Sequence, residues 1–178
     1  YSYTIPGVYT LRLTVTDDDN DSGESIFQYV VVYDPDGGFV TGGGWIDSPE
    51  GAYKPDLQLT GKATFGFVSK YHRGAQVPSG QTEFQFHAAG LNFKSRDYQW
   101  LVVAGAHAKF KGTGTINGSG DYGFMLTATD GETDTFRIKI WDVDDGDAVV
   151  YDNQMGADDD GYDGTEIGGG NIKVHKAR

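Results

Sequence analysis

The sequence predicts an all-β protein: a two-stranded hairpin followed by an antiparallel β-barrel or β-sandwich of about nine strands. Three observations carry this expectation. Apolar and polar residues alternate with a period of two over many short runs, the pattern of half-buried strands. Glycine fills 27 of 178 positions and aromatic residues make up 13%, a composition suited to short strands joined by tight turns. No apolar periodicity of 3.6 residues is sustained, so almost no helix is expected.

Taken in order, residues 7–16 put Tyr9, Leu11, Leu13 and Val15 on one face and Thr10, Arg12, Thr14 and Thr16 on the other, a strand with one wet face. An acidic loop follows, then a second strand from Ile26 to Tyr33, apolar on both faces apart from Gln28. Pro35 and the paired glycines Gly37 and Gly38 mark a linker, which divides the chain into residues 1–36 and 37–178. Alternation then predicts strands over 39–46, 61–71, 82–88, 98–111, 112–117, 122–129, 135–141, 148–152 and 171–175. Their inward set is Ala63, Phe65, Phe67, Phe84, Phe86, Trp100, Val102, Ala104, Phe110, Tyr122, Phe124, Leu126, Phe136, Ile138, Ile140, Ile172 and Val174. The small residues Ala104, Gly105, Ala106 and Ala108 fall within the longest run, where they predict close approach of another backbone or a tapered barrel interior.

The net charge is −12 and it is unevenly placed. Residues 142–166 carry ten acids and no Lys or Arg, and residues 1–37 carry seven acids and one base. Phosphate neutralisation needs a basic track, so nucleic acid is not the expected partner. Cysteine is absent, which removes disulfides and Cys-based zinc or redox chemistry. No apolar segment approaches the roughly 20 residues of a membrane span. The chain opens on Tyr1 rather than Met and reads as a processed or excised piece of a longer one.

Carboxylates in Gly-bearing loops are the candidate chemistry, because Ca²⁺ takes six to eight oxygens from such loops. Asp142, Asp144, Asp145 and Asp147 surround Gly146 at the tip of an expected hairpin, and Asp158, Asp159, Asp160 and Asp163 fall in a loop downstream. These form two separate candidate sites, with acidic, solvating loops as the alternative. Asp17, Asp19 and Asp21 form a third candidate, although it lacks the Gly and Glu positions of an EF-hand. His72, His87, His107 and His175 show no ligand spacing. Glu50, Glu83, Glu132 and Glu166 mark no acid–base pair, so the chain reads as non-catalytic. Trp141, Tyr98 and Tyr162 are candidate ligand-binding rings, with Trp141 on the polar face of its strand beside Asp142.

The segment PGVYTLRLTVTDDDNDSGES followed by FQYVVVY resembles the last two strands of a PKD domain, an immunoglobulin-like sandwich of extracellular proteins. The likeness covers residues 1 to about 34 and lacks that family's usual W-D-F-G-D-G-type segment. The runs VTGGGWIDSPEG, LTGKATFGFVSKY, DTFRIKIWD and IGGGNIKVHK resemble a post-COAP-1-type β domain of secreted bacterial proteins, from about Val40 to Lys176. These resemblances imply a secreted, extracellular, multidomain setting and bring no catalytic residues. The expected function is a structural, attachment or assembly module with calcium-stabilised acidic loops. Its partners would be other domains of the same chain or neighbouring subunits. The alternative is a carbohydrate-binding module of a secreted polysaccharide-active protein.

Overall fold

The computed structural model describes residues 3–34 and 38–176 and is almost entirely antiparallel sheet. Of the expected linker, residues 35–37 lie outside the described residues. Strands β1 (Gly7–Thr16) and β2 (Ser22–Val32) form a two-stranded ribbon. Its turn is built by Asp17, whose Oδ1 accepts the N–H groups of Asp19 at 3.1 Å and Asp21 at 2.9 Å. Asn20 takes the positive φ of 67° that this tight reversal requires, a conformation Asn tolerates better than most residues.

The second sheet runs as a meander through β3 (Gly38–Ser48), β4 (Gly61–Lys70), β5 (Ser79–Phe86), β6 (Leu91–Ala104), β7 (His107–Ile116), β8 (Ser119–Thr129), β9 (Thr135–Asp142) and β10 (Ala148–Asp152). A final run, β11 (Thr165–Glu166) and β12 (Gly169–Lys176), pairs first with β9 and then with the far edge strand β3. The ladder does not close into a barrel. Among the described residues, no helix is long and apolar enough to cross a membrane.

The sheet rolls on itself around a core of rings. Phe65 of β4 stacks on Phe136 of β9 with centroids 4.0 Å apart, and Phe84 of β5 meets Tyr151 of β10 at 4.7 Å. Strands from opposite ends of the meander therefore share one interior with Phe67, Phe86, Phe93, Phe110 and Phe124. Each such ring contributes about 1.5–3 kcal/mol on leaving water, which makes this cluster the main source of cohesion. Tyr151 sits at its rim, with its hydroxyl 2.9 Å from Ser48 Oγ; burial pushes its pKa up.

Both sheet edges are covered. Residues beside β3 bond to β10: Asp152 N–H donates to Ala52 O at 2.9 Å and Lys54 N–H to Val150 O at 3.0 Å. On β12, Ile172 N–H donates to Asp134 Oδ2 at 2.7 Å and Val174 N–H to Asp130 Oδ2 at 3.0 Å. Burial raises the Asp130 pKa, but Lys173 and the Val174 amide outweigh it and hold the carboxyl below its ordinary value. Carboxylates from the β8–β9 turn thus satisfy the outer N–H groups of an edge strand that would otherwise template further pairing.

The strand bounds and the inward set between residues 91 and 117 are corrected. The run expected over 98–111 is two strands, because Ala104 and His107 pair across a two-residue turn. Gly105 there carries the positive φ of 65° such hairpins need. The residues expected at 112–117 then complete β7, and Leu91 to Asp97, outside the expected strands, open β6. Register shifts between Ser95 and Asp97 and between Tyr98 and Trp100 also reset which side chains face in, as bulges do. Tyr98 and Leu101 enter the core, while Trp100 and Ala104 do not and Val102 is buried outside it.

The edge-capping carboxylates are testable by hydrogen exchange. Replacing Asp130 and Asp134 by Ala removes two bonds to charged acceptors, each worth about 1.5–3 kcal/mol. The amides of Ile172 and Val174 are expected to exchange about tenfold faster or more, while that of Phe67 in β4 holds its rate. Unchanged exchange at Ile172 and Val174 contradicts the capping.

Candidate functional site: an acidic strap on buried cations

The outward face of the last strands is not a wetted surface. In register across it lie Val102, Lys109, Thr127 and Arg137, one from each of β6 to β9. All four are buried, Lys109 and Val102 at 0% exposure and Thr127 and Arg137 at 2%. Residues 153–164, between β10 and β11, cross this row as a strap.

Arg137 organises the strap. Its Nε and Nη2 donate to Asp152 Oδ1 and Oδ2 at 3.0 and 2.8 Å, a bidentate pair. Its remaining N–H groups reach Asp158 O at 3.0 Å, Ala157 O at 3.2 Å and Asp159 Oδ1 at 3.1 Å. Lys139 Nζ donates to the other oxygen, Asp159 Oδ2, at 2.6 Å. Lys109 Nζ donates to the carbonyls of Asp159 and Gly161 and lies 5.2 Å from the Tyr162 ring centroid. Burial pushes the Lys109 pKa down and Arg137 pushes it further, while Asp159, Asp160 and Asp163 raise it; the balance is about 8, so the ammonium stays charged at neutral pH. Tyr162 in turn stacks on His107 at 4.5 Å, whose Nδ1 lies 2.9 Å from Thr129 Oγ1.

Asn153 splices the strap into the sheet. Between the β10 and β11 pairings on β9, its Oδ1 accepts Ile138 N–H at 2.8 Å and its Nδ2 donates to Phe136 O at 2.8 Å. One side chain therefore continues a ladder that the backbone has left.

The expected cation ligands divide among three places. The Asp159 carboxylate serves Arg137 and Lys139, Asp158 gives Arg137 its backbone carbonyl, and Asp160 and Asp163 act on Lys109 through space. Asp142, Asp144, Asp145 and Asp147 stand in the β9–β10 turn, where Asp142 Oδ1 accepts Asp144 N–H at 3.0 Å and Asp147 takes a φ of 63°. Asp17, Asp19 and Asp21 form the ribbon's turn, described above. Among the described residues, no three His, Asp or Glu side chains converge as a metal site.

The expected ligand-binding rings also separate. Tyr98 is a core residue, 7% exposed, with its hydroxyl 2.6 Å from Thr82 Oγ1; the bulges of β6 turned it inward, so it offers no surface ring. Trp141 lies against Gly123, where a Cβ would come within 2.2 Å of its Cε2, and Lys111 Nζ stands 5.3 Å from its ring centroid. One Trp141 face is thus spent on the sheet. Tyr162 belongs to the strap.

Sequence reasoning missed Lys109, Arg137, Asp152 and Asn153. One signal was present, since ten acids without a base in 142–166 require counter-charges, and Arg137 and Lys139 sit on the outward side of the adjoining strand. The site is a charge lock in which the carboxylates of Asp152 and Asp159 are engaged by Arg137 and Lys139. No family model, curated protein or solved structure matches this chain.

The lock is expected to govern stability. Asp152→Ala leaves the Arg137 guanidinium without its bidentate partner, at a cost of about 3–5 kcal/mol, or roughly 6–20 °C in Tm at this size. Adding Arg137→Met does not restore the loss, because the strap carbonyls of Ala157 and Asp158 then lack their donor. Calorimetry of the single and double variants checks both expectations.

Proposed function

We propose that this chain is a non-catalytic attachment or assembly module, with the β1–β2 ribbon as the part that docks. One observation carries this. The ribbon places Leu13, Val15 and Phe27 in solvent at 55%, 60% and 56% exposure. Leu11 pairs with Phe27 and Leu13 with Ser25, so the side chains of Leu11, Leu13, Val15 and Phe27 share one face. The opposite face, with Thr10 and Ile26, borders a cavity of about 440 Å³ whose other walls include Arg137, Met155, Asp158 and Asp160 of the strap region. Thr10 and Ile26 line that cavity yet stay exposed, Ile26 at 50%, so the outer part of the ribbon is solvent-facing on both sides and one of those sides is apolar.

Two strands alone are marginal in water, and an apolar face of this kind marks a contact surface. In this reading further strands complete the ribbon into a sandwich, supplied by an adjoining domain of the same chain or by a neighbouring subunit. An extracellular setting fits such a module. Calcium enters at the β9–β10 turn, where Asp144, Asp145 and Asp147 are exposed and repel one another; in the strap, protein cations already meet Asp159.

Light scattering at rising concentration tests the ribbon. The 178-residue chain is expected to self-associate, and Leu13→Asn with Phe27→Asn to abolish it without lowering the main Tm. A strict monomer whose ribbon amides are already protected from exchange overturns the proposal. Calcium is tested separately by melting in excess Ca²⁺ and in EGTA. At a hundredfold excess over Kd the gain is about 2.7 kcal/mol, several degrees at roughly 2–4 °C per kcal/mol. An unchanged Tm removes calcium while leaving the ribbon reading intact.

A further inference from the structure

The rolled sheet has a second outward face, on β4 and β5, and among the described residues no strap crosses it. A groove of about 470 Å³ lies there, lined by Thr64, Gly66 and Val68 of β4 and by Gln81, Glu83 and Gln85 of β5. Its floor is low because two glycines meet in register: Gly43 of β3 pairs with Gly66, and Gly66 pairs with Glu83. A Cβ built on Gly66 meets nothing within 4 Å, so this glycine leaves open space above the sheet and fills no tight contact.

The walls carry polar groups in an ordered array. Gln81, Glu83 and Gln85 project from the same side of β5, about 6.8 Å apart from one to the next. Gln81 Nε2 donates to Glu83 Oε1 at 3.2 Å, and Lys94 Nζ stands 3.3 Å from the same oxygen. The carboxylate is therefore oriented and its charge locally offset. What remains is a neutral set of carboxamides, a hydroxyl and acceptor oxygens, with Val68 as an apolar contact.

We infer that this groove binds a neutral, hydroxyl-rich polymer, a polysaccharide chain of uncharged sugars. Sugar hydroxyls both donate and accept, which matches a row of amides and a held carboxylate, and the glycine floor lets a flat ring approach the sheet. An extended peptide is disfavoured because β4 is paired on both sides along its length and β5 is paired with β6 over Glu83–Phe86, which leaves only the short run Ser79–Gln81 as an edge for strand addition. Polyanions are disfavoured by the net charge of −12. This site stands apart from the ribbon and from Trp141, so its test is independent of the assembly reading.

Affinity electrophoresis of the full chain through gels containing soluble hydroxyethylcellulose, xylan, laminarin or galactomannan, with alginate as an anionic control, reads the binding directly. Retardation by at least one neutral polymer is expected. Gly66→Leu fills the groove at a position with free space and no positive φ, so it preserves the fold; it is expected to weaken binding about tenfold or more, as is Gln85→Ala. Trp141→Ala is expected to bind as the parent does. Equal Tm values for parent and Gly66→Leu separate a blocked groove from a damaged fold. Should Gly66→Leu unfold the chain, Gln85→Ala alone decides the assignment. No retardation by any neutral polymer, retardation by alginate alone, or loss of binding in Trp141→Ala with none in Gln85→Ala overturns the inference.

Discussion

Burying a guanidinium on the outside of a sheet is the constraint from which much of this structure follows. Removing Arg137 from water costs several kcal/mol unless its donors are met, and β9 alone cannot meet them. Asp152, the last residue of β10, supplies two oxygens, and the strap supplies two carbonyls and one side of Asp159. Lys109 adds the same demand from β7. The path of the strap is set by these acceptors more than by apolar contact. Once it lies across the sheet, Asn153 bridges the missing rungs on β9 and the chain emerges beside β9 as β11. From there β12 reaches β3 and covers the opposite edge of the sheet.

The outer surface consequently has two characters. Over β7 to β9 it is closed by the strap and held by ionic bonds, of which Arg137–Asp152 is buried and Lys139–Asp159 partly exposed. Over β4 and β5 it is open, polar and floored by glycine. The ribbon provides a third surface, apolar and solvent-facing.

Much of the strand content was readable because period-two alternation is a local property. Phe65, Phe67, Phe84, Phe86, Phe136, Ile138 and Ile140 face the core as alternation requires. The turn at Gly105 was harder to see, because Ala104, Gly105 and Ala106 lack the Asn, Asp or Pro that usually announces a reversal. The bulges of β6 were invisible for a related reason. An extra residue in one strand is defined by what the partner strand does, and Ser95 to Trp100 carry no composition that reports their partners in β7.

The sequence by itself determined the strand-rich architecture, the phenylalanine core and the concentration of acid in residues 142–166, since each depends on residues close together in the chain. Tertiary structure decided what that acid does. Asp159 faces Arg137 and Lys139 only after the strap has folded back over β9, and Lys109 reaches its carbonyls from a strand some 50 residues earlier. Alternation assigns Lys109, Arg137 and Lys139 to an outward face. Whether an outward face meets water or another segment is set by long-range packing, which no local pattern of charge or hydropathy encodes.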